Sequence, residues 1–223
     1  MATSGTTTFD LNVAELIEEA FERCGLELRT GYDLETARRS LNLMFAEWAN
    51  RGLNLWVIVE RTEDLTESTT SYDLDTDLIN VLSAVVRRTS GSTYTDYQLN
   101  RMSRSDYLYL PNKAVEARPT QFYLERTITP KLYLYPTPDD STDVFRYYAL
   151  TRIEDAGDYT NTLDITFQFL PAMAAGLAYY ISLKRAPDRM SMLKEIYEEE
   201  WGRAASENID TVSSRFLPAR TVI

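Results

Sequence analysis

Histidine is absent from the sequence and cysteine occurs once, at Cys24. The first absence excludes a Ser-His-Asp or Cys-His nucleophile system and any His-ligated zinc site. The second excludes an internal disulfide and a four-thiolate metal site. Cys24 falls on the apolar stripe of a predicted helix, where a lone cysteine acts as a small buried hydrophobe. Glycines are scattered: they stand apart at 5, 25, 31, 52, 91, 157, 176 and 202. No G-x-G-x-x-G turn or phosphate-cradling G-x-x-x-x-G-K-[ST] loop can be assembled from them. Basic charge is also in short supply. Lys and Arg number 23 against 34 Asp and Glu, for a formal net charge of -11. Arg38-Arg39 and Arg87-Arg88 are isolated pairs and not runs. A chain of this charge is repelled by DNA phosphates and by anionic membrane surfaces. The opening MATSGTTTFD has neither a basic n-region nor an apolar h-region, so no signal peptide is expected.

What is present suffices for a core. The 223 residues are 44% apolar and 26% charged, as in ordinary globular proteins. One stretch, ITFQFLPAMAAGLAYYISL over residues 165–183, carries no charge and approaches the ~20 residues of a membrane span. Thr166, Gln168, Pro171, Gly176, Ser182 and two tyrosines interrupt it, which points to a buried central helix and no span.

Periodicity divides the chain. Asp10 or Asn12 can cap a first helix in which Val13, Leu16, Ile17, Ala20, Phe21 and Cys24 share one face, and Gly25 can end it. Asp33 is the expected N-cap of a second helix striped by Leu34, Ala37, Leu41, Met44, Phe45 and Trp48, closed by Gly52. Period two then takes over. The segments LNLWVIVER, INVLSAVVRR, DYQLN, TQFYLER, KLYLYPT and DVFRYYALTR read as strands. Short turn signals between them favour antiparallel neighbours. Ser103, three residues before Asp106, predicts a short capped helix among the strands. From Asp164 or Thr166 a third long helix runs with Pro171 in its first turn, lined by Leu170, Met173, Ala174, Leu177, Ala178 and Ile181. Pro187 and Asp188 open a fourth, striped by Leu193, Ile196, Tyr197, Trp201, Ala204 and Ala205.

The expected fold class is therefore α+β. Residues 10–52 and 162–207 form a four-helix body, 53–161 an inserted antiparallel β module, and 208–223 an extended C-terminal arm with apolar residues near its tip. Amphipathic pairs hide their apolar faces poorly alone, so the helical ends are expected to rejoin.

A reaction centre is hard to find. Asp73, Asp75 and Asp77 have the spacing of calcium-loop ligands, but Leu78 and Ala84 stand where Gly and Glu are required. Asp139, Asp140 and Asp143 share one loop, whereas a glycosidase pair must face across a cleft. The fifteen tyrosines suit core or subunit contact better than a ligand platform. No catalytic residue, metal site or cofactor is assigned. An unpatterned arm bearing Phe216, Leu217, Pro218, Arg220 and Ile223 favours an assembly subunit that docks through it.

The stretch LNLMFAEWANRGLNLWVIVERT, residues 41–62, changes from helical to alternating periodicity at Gly52. Trp48, Gly52, Leu55 and Trp56 mark this junction, where the two tryptophans are expected to wedge helix and strand. The same stretch resembles the N-terminal signature of head-to-tail adaptor proteins of short-tailed bacteriophages, L-N-x-M-x-x-x-W then G-L-x-L-W. Leu41, Asn42, Met44, Trp48, Gly52, Leu53, Leu55 and Trp56 match it. RMSRSDYLYLPNKAVEARPTQFYLER is similar to the family's R-x-S-R-x-x-Y and K-x-x-x-G-x-P elements through Arg101, Ser103, Arg104, Tyr107, Lys113 and Pro119, with Ala117 at the usual glycine. KLYLYPTPDD resembles its strand ending in P-x-P, and LPAMAAGLAYYISLKRAP followed by YEEEW resembles its last helix pair. The likeness runs from about residue 12 to 218.

The resemblance implies a virion structural protein, made in the host cytoplasm and placed at the head–tail interface. Such proteins form a ring, usually of twelve copies, below the portal. The ring extends the DNA channel and seats the tail nozzle and often fibres. The genome passes without sequence-specific binding, and an acidic bore would not hold it. The competing expectation is an accessory virion peptidoglycan hydrolase, against which stand the missing histidine and the missing acid pair.

Overall fold

Local sequence signals account for most of the secondary structure. The computed structural model describes residues 5–6, 9–29, 31–51 and 57–207. Among the described residues the helices are α1 (Val13–Arg23), α2 (Gly31–Arg51), α3 (Arg104–Tyr109), α4 (Leu170–Arg185) and α5 (Met190–Glu207). The strands are β1 (Ile58–Asp64), β2 (Ser71–Asp73), β3 (Leu78–Ser90), β4 (Thr93–Gln98), β5 (Asn100–Arg101), β6 (Gln121–Glu125), β7 (Lys131–Tyr135) and β8 (Val144–Thr151). The fold class is mixed α+β. It divides into a unit of Met1–Met44 with Ala156–Ile223 and a unit of Phe45–Asp155.

Of the two candidate caps for α1, Asn12 serves. Its Oδ1 accepts from the Glu15 N–H at 2.9 Å, while the Glu15 carboxylate accepts from the Asn12 N–H at 3.1 Å. This reciprocal box satisfies two donors that a helix start leaves unpaired. Gly25, at φ 70°, ends the helix. Its N–H reaches the Glu22 carbonyl at 2.8 Å, and the Leu26 N–H reaches Phe21 at 2.9 Å. Those two bonds are a Schellman closure, which needs the left-handed backbone that glycine adopts without a Cβ clash.

α2 corrects an expectation. It starts at Gly31, so Asp33 lies inside the first turn and is not the N-cap. The Asp33 carboxylate is buried and accepts from Arg185 at 2.5 Å. A partner so far along the chain drew this acid inward. The expected stripe of α5 is also only partly buried: Leu193, Tyr197 and Ala204 are, whereas Ile196 is 38% exposed.

α4 is the centre of the helical unit. Ten of its residues are buried, including Ala172, Ala174, Ala175, Gly176 and Ala178. α1 and α5 pack against it. α2 reaches it through Met44 at Gly176, Lys184 donating to Ser40 Oγ at 2.8 Å, and Arg185 on Asp33. A Cβ on Gly176 would stand 2.5 Å from the Met44 sulfur and 2.7 Å from the Tyr197 ring. The glycine thus lets two neighbours come closer than any other residue allows. A 3-10 turn, Phe167–Phe169, leads into α4, and Pro171 occupies its first turn, where a missing N–H costs nothing. The charge-free stretch is this buried helix. No helix among the described residues is long and apolar enough to cross a membrane.

The second unit contains two four-stranded sheets, ordered β1-β8-β3-β4 and β2-β7-β6-β5. β6, β7 and β8 alternate buried and outward residues, as their sequences predict. Inward residues from both sheets form one apolar cluster that includes Val86, Phe122, Leu132, Leu134, Phe145 and Tyr147. Phe122 and Phe145 meet edge to face across it at 6.1 Å.

Three strand expectations need correction. Of the expected strand at 53–61, residues 53–56 lie outside the described residues; β1 runs Ile58–Asp64, and Val59 is 44% exposed where the alternation would turn it inward. β2 was not expected; at three residues it is too short to show a period. The pairing is not wholly antiparallel, because β5 runs parallel to β6. α3 lies between those strands and supplies the crossover that parallel neighbours need. The α3 box itself is as expected, with Ser103 Oγ accepting from the Asp106 N–H at 3.1 Å.

Gly176→Ala should lower the unfolding free energy by up to about 2 kcal/mol, because overpacking costs ~1–3 kcal/mol against a ~1 kcal/mol helix-propensity gain. Gly202→Ala, in α5 with nothing within 4 Å of the added methyl, should raise it by about 0.5–1 kcal/mol. Chemical denaturation of the two variants beside the parent checks the opposite signs.

Candidate functional site

The clustered acids come first, because they are the raw material for metal or hydrolytic chemistry. Asp77 is taken by Arg61, whose two terminal nitrogens lie 2.8 and 2.6 Å from its oxygens. Asp75 accepts from the same guanidinium at 2.8 Å, and Asp73 pairs with Lys131 at 3.1 Å. The hydrogen bond from Arg61 holds the Asp77 carboxyl below the usual carboxylate range. The three acids therefore point at cations on β1 and β7 and do not converge on an ion.

The second acid cluster is likewise occupied. Asp143 is fully buried and receives Arg88 Nε at 2.9 Å and a terminal nitrogen at 2.6 Å. Asp139 accepts from Arg88 at 2.5 Å, and Asp140 accepts from the Thr142 N–H and hydroxyl at 2.8 Å each. The bond to Asp143, then that to Asp139, pushes the Arg88 guanidinium above its ordinary value. An arginine fork occupies both carboxylate oxygens as acceptors, so Asp77 and Asp143 are held in structural pairs. Among the described residues, no group of three or more His, Cys, Asp or Glu could hold a metal ion.

Tyrosine faces are also used internally. Tyr107 of α3 stacks on Tyr123 at 5.4 Å and meets Tyr133 at 5.1 Å, while Tyr123 and Tyr133 lie 5.7 Å apart. Lys113 reaches over Tyr107 at 5.4 Å and donates to the Leu108 and Leu110 carbonyls at the end of α3. The stack fastens α3 to its sheet. Cys24 is buried, its thiol donates to the Ala178 carbonyl at 3.2 Å, and burial pushes its pKa up. That is the behaviour of a packed hydrophobe and not of a nucleophile.

The described residues also form an apolar concave surface. A groove of about 490 Å³ runs between α1 and the start of α4. Phe9, Leu11, Phe167, Leu170, Pro171 and Ala174 form its apolar wall. Glu15, Glu18, Glu19, Glu22 and the Glu19-paired Arg23 edge it from α1. Sequence reasoning placed α1 and α4 but not this groove, because its two exposed aromatic members, Phe9 and Phe167, precede the helices and belong to no stripe. A large apolar residue just before each helix start was the available signal.

The junction residue Trp48 is fully buried in α2, with its ring 6.1 Å from Phe45. Gly52, Leu55 and Trp56 lie outside the described residues, as do the arm residues Phe216, Leu217, Pro218, Arg220 and Ile223.

Arg88→Ala should destabilise the sheet unit by about 3–5 kcal/mol, since it leaves Asp143 charged, buried and unpaired. Adding Asp143→Leu should recover much of the loss. A denaturant series of the single and double variants measures both steps.

No curated protein matches the chain. The family model for the SU10 adaptor protein matches residues 11–221, nearly the whole sequence. With a match of that length, the chain belongs to the SU10 adaptor family, a family of bacteriophage head-to-tail adaptors.

Proposed function

We propose that this protein is a virion structural subunit that forms a ring, of twelve copies, below the portal at the head–tail interface. The ring extends the DNA channel and seats the tail nozzle and fibres. The match to the adaptor family over residues 11–221 carries this reading. The two acid clusters support it, since arginines use them for structure. The subunit is made in the host cytoplasm, needs no cofactor and catalyses nothing.

The proposed division of labour follows the chain. Residues 10–52 with 162–207 are a four-helix body, 53–161 a β module facing ring neighbours or the distal tail, and 208–223 an arm. Phe216, Leu217, Pro218, Arg220 and Ile223 give that arm an apolar surface with a cation for portal or a neighbouring subunit. Trp48, Gly52, Leu55 and Trp56 serve the passage from helix to strand and have a structural role. The net charge of -11 suits a bore that repels the phosphates of an exiting genome.

Co-sedimentation with purified portal tests the arm. The full chain should bind, and a chain ending at Asn208 should bind at least tenfold more weakly while keeping its circular dichroism spectrum; loss of one central docking segment exceeds ~1.4 kcal/mol. Equal binding by the two chains would remove the arm from the interface.

A further inference from the structure

The groove between α1 and α4 is an unusual surface to leave uncovered. Phe9 and Phe167 are 66% and 69% exposed, side by side with Leu170 and Pro171. Its acid edge is only half used: Glu15 closes the α1 cap and Glu19 pairs with Arg23. Glu18 and Glu22 are exposed and make no ion pair among the described residues. An occupant of fitting chemistry is therefore apolar, carries positive charge and lacks acids.

The chain contains such a segment. Beyond Asp210 the sequence TVSSRFLPARTVI has two arginines, Arg215 and Arg220, no acid, and the apolar residues Phe216, Leu217, Val222 and Ile223. A late residue of α5 also meets the turn that leads into α4. Trp201, in the last turns of α5, meets Phe169 edge to face at 5.3 Å, and Phe169 sits between the groove residues Phe167 and Leu170 in sequence. Residues 208–223 can span about 50 Å when extended, so reach is not limiting. A tether of this length holds its tip at an effective concentration on the order of millimolar. Weak complementarity is then enough for occupancy within one molecule, whereas a second copy in dilute solution gains no such advantage.

We propose that in the free protein residues 208–223 fold back onto their own chain. Phe216 and Leu217 cover the apolar wall, and Arg215 and Arg220 face Glu18 and Glu22. This seat goes beyond the portal role and exists without portal. Docking elsewhere requires the arm to leave it, so the groove competes with any partner for the same residues.

The test uses the full chain with p-benzoylphenylalanine in place of Phe216, prepared as an equal mixture of light and nitrogen-15 protein. After irradiation, cross-linked peptides should join position 216 to segments 9–11 or 167–174, each pair of one isotope only. Light–heavy pairs would mean that a second copy fills the groove, and they overturn the proposal. Cross-links elsewhere, or none, overturn it as well. Arg215→Glu with Arg220→Glu alters residues outside the helices and sheets described, and should cut the groove yield about fivefold, as two ion pairs at a partly exposed edge allow. An unchanged yield would contradict the charge pairing. Portal binding is read in its own assay, so failure of the cross-link leaves the adaptor role standing.

Discussion

The Cβ that Gly176 lacks would lie 2.5 Å from the Met44 sulfur and 2.7 Å from the Tyr197 ring. The Met44 side chain of α2 and the Tyr197 ring of α5 therefore fill space that a Cβ at position 176 would need, and buried alanines flank the glycine along α4. The arrangement substitutes for the staples this chain cannot have. With one cysteine and no histidine, neither disulfide nor zinc can hold the helices, so burial must. Close approach multiplies the weak dispersion contacts that each buried side chain makes. The same helix is bracketed at one end by Arg185 on Asp33 and Lys184 on Ser40, which fix where α2 lies along it.

The sheet unit solves its own problem with charge. Leu65, Phe122, Leu132, Leu134, Phe145 and neighbours fill the space between two sheets. The loop before β8 must enter that sandwich, and it brings the fully buried Asp143 with it. Arg88 on β3 answers with a forked contact, as Arg61 on β1 answers Asp77. Such pairs add little net stability over well-packed apolar residues, but losing one partner is costly, so they enforce a particular loop position. An acidic chain offers many carboxylates, and those that cluster here pair with Arg61, Arg88, Lys131 and Thr142.

How much of this was legible depended on the range of the interaction. Caps lie within three residues, so Asn12 with Glu15 and Ser103 with Asp106 could be read directly. Periodicity exposed the faces of α1, α4, β6, β7 and β8 because each packs on one side or is buried throughout. Asp33 was misread because its partner, Arg185, lies on another helix. The parallel β5–β6 pair was misread because strand direction follows from the path of the intervening chain and not from alternation. The acid clusters were seen, yet their arginines stand on strands far away in sequence. The groove was invisible for a related reason: it is made by residues just before two helices that only the fold brings together.

The adaptor reading joins these parts. A rigid helical unit and a sandwich with fixed loops make a subunit suited to repeated contacts, and the family match over residues 11–221 ties that subunit to a phage head-to-tail adaptor. In the proposed ring, its acid excess would suit a channel wall better than a DNA-binding surface. The most direct test is electron microscopy of the full-length protein mixed with its portal. The account predicts a closed twelve-fold ring seated coaxially on the portal with acidic side chains toward the bore. A protein that stays unassembled beside the portal, or a ring with a predominantly basic bore, would contradict it.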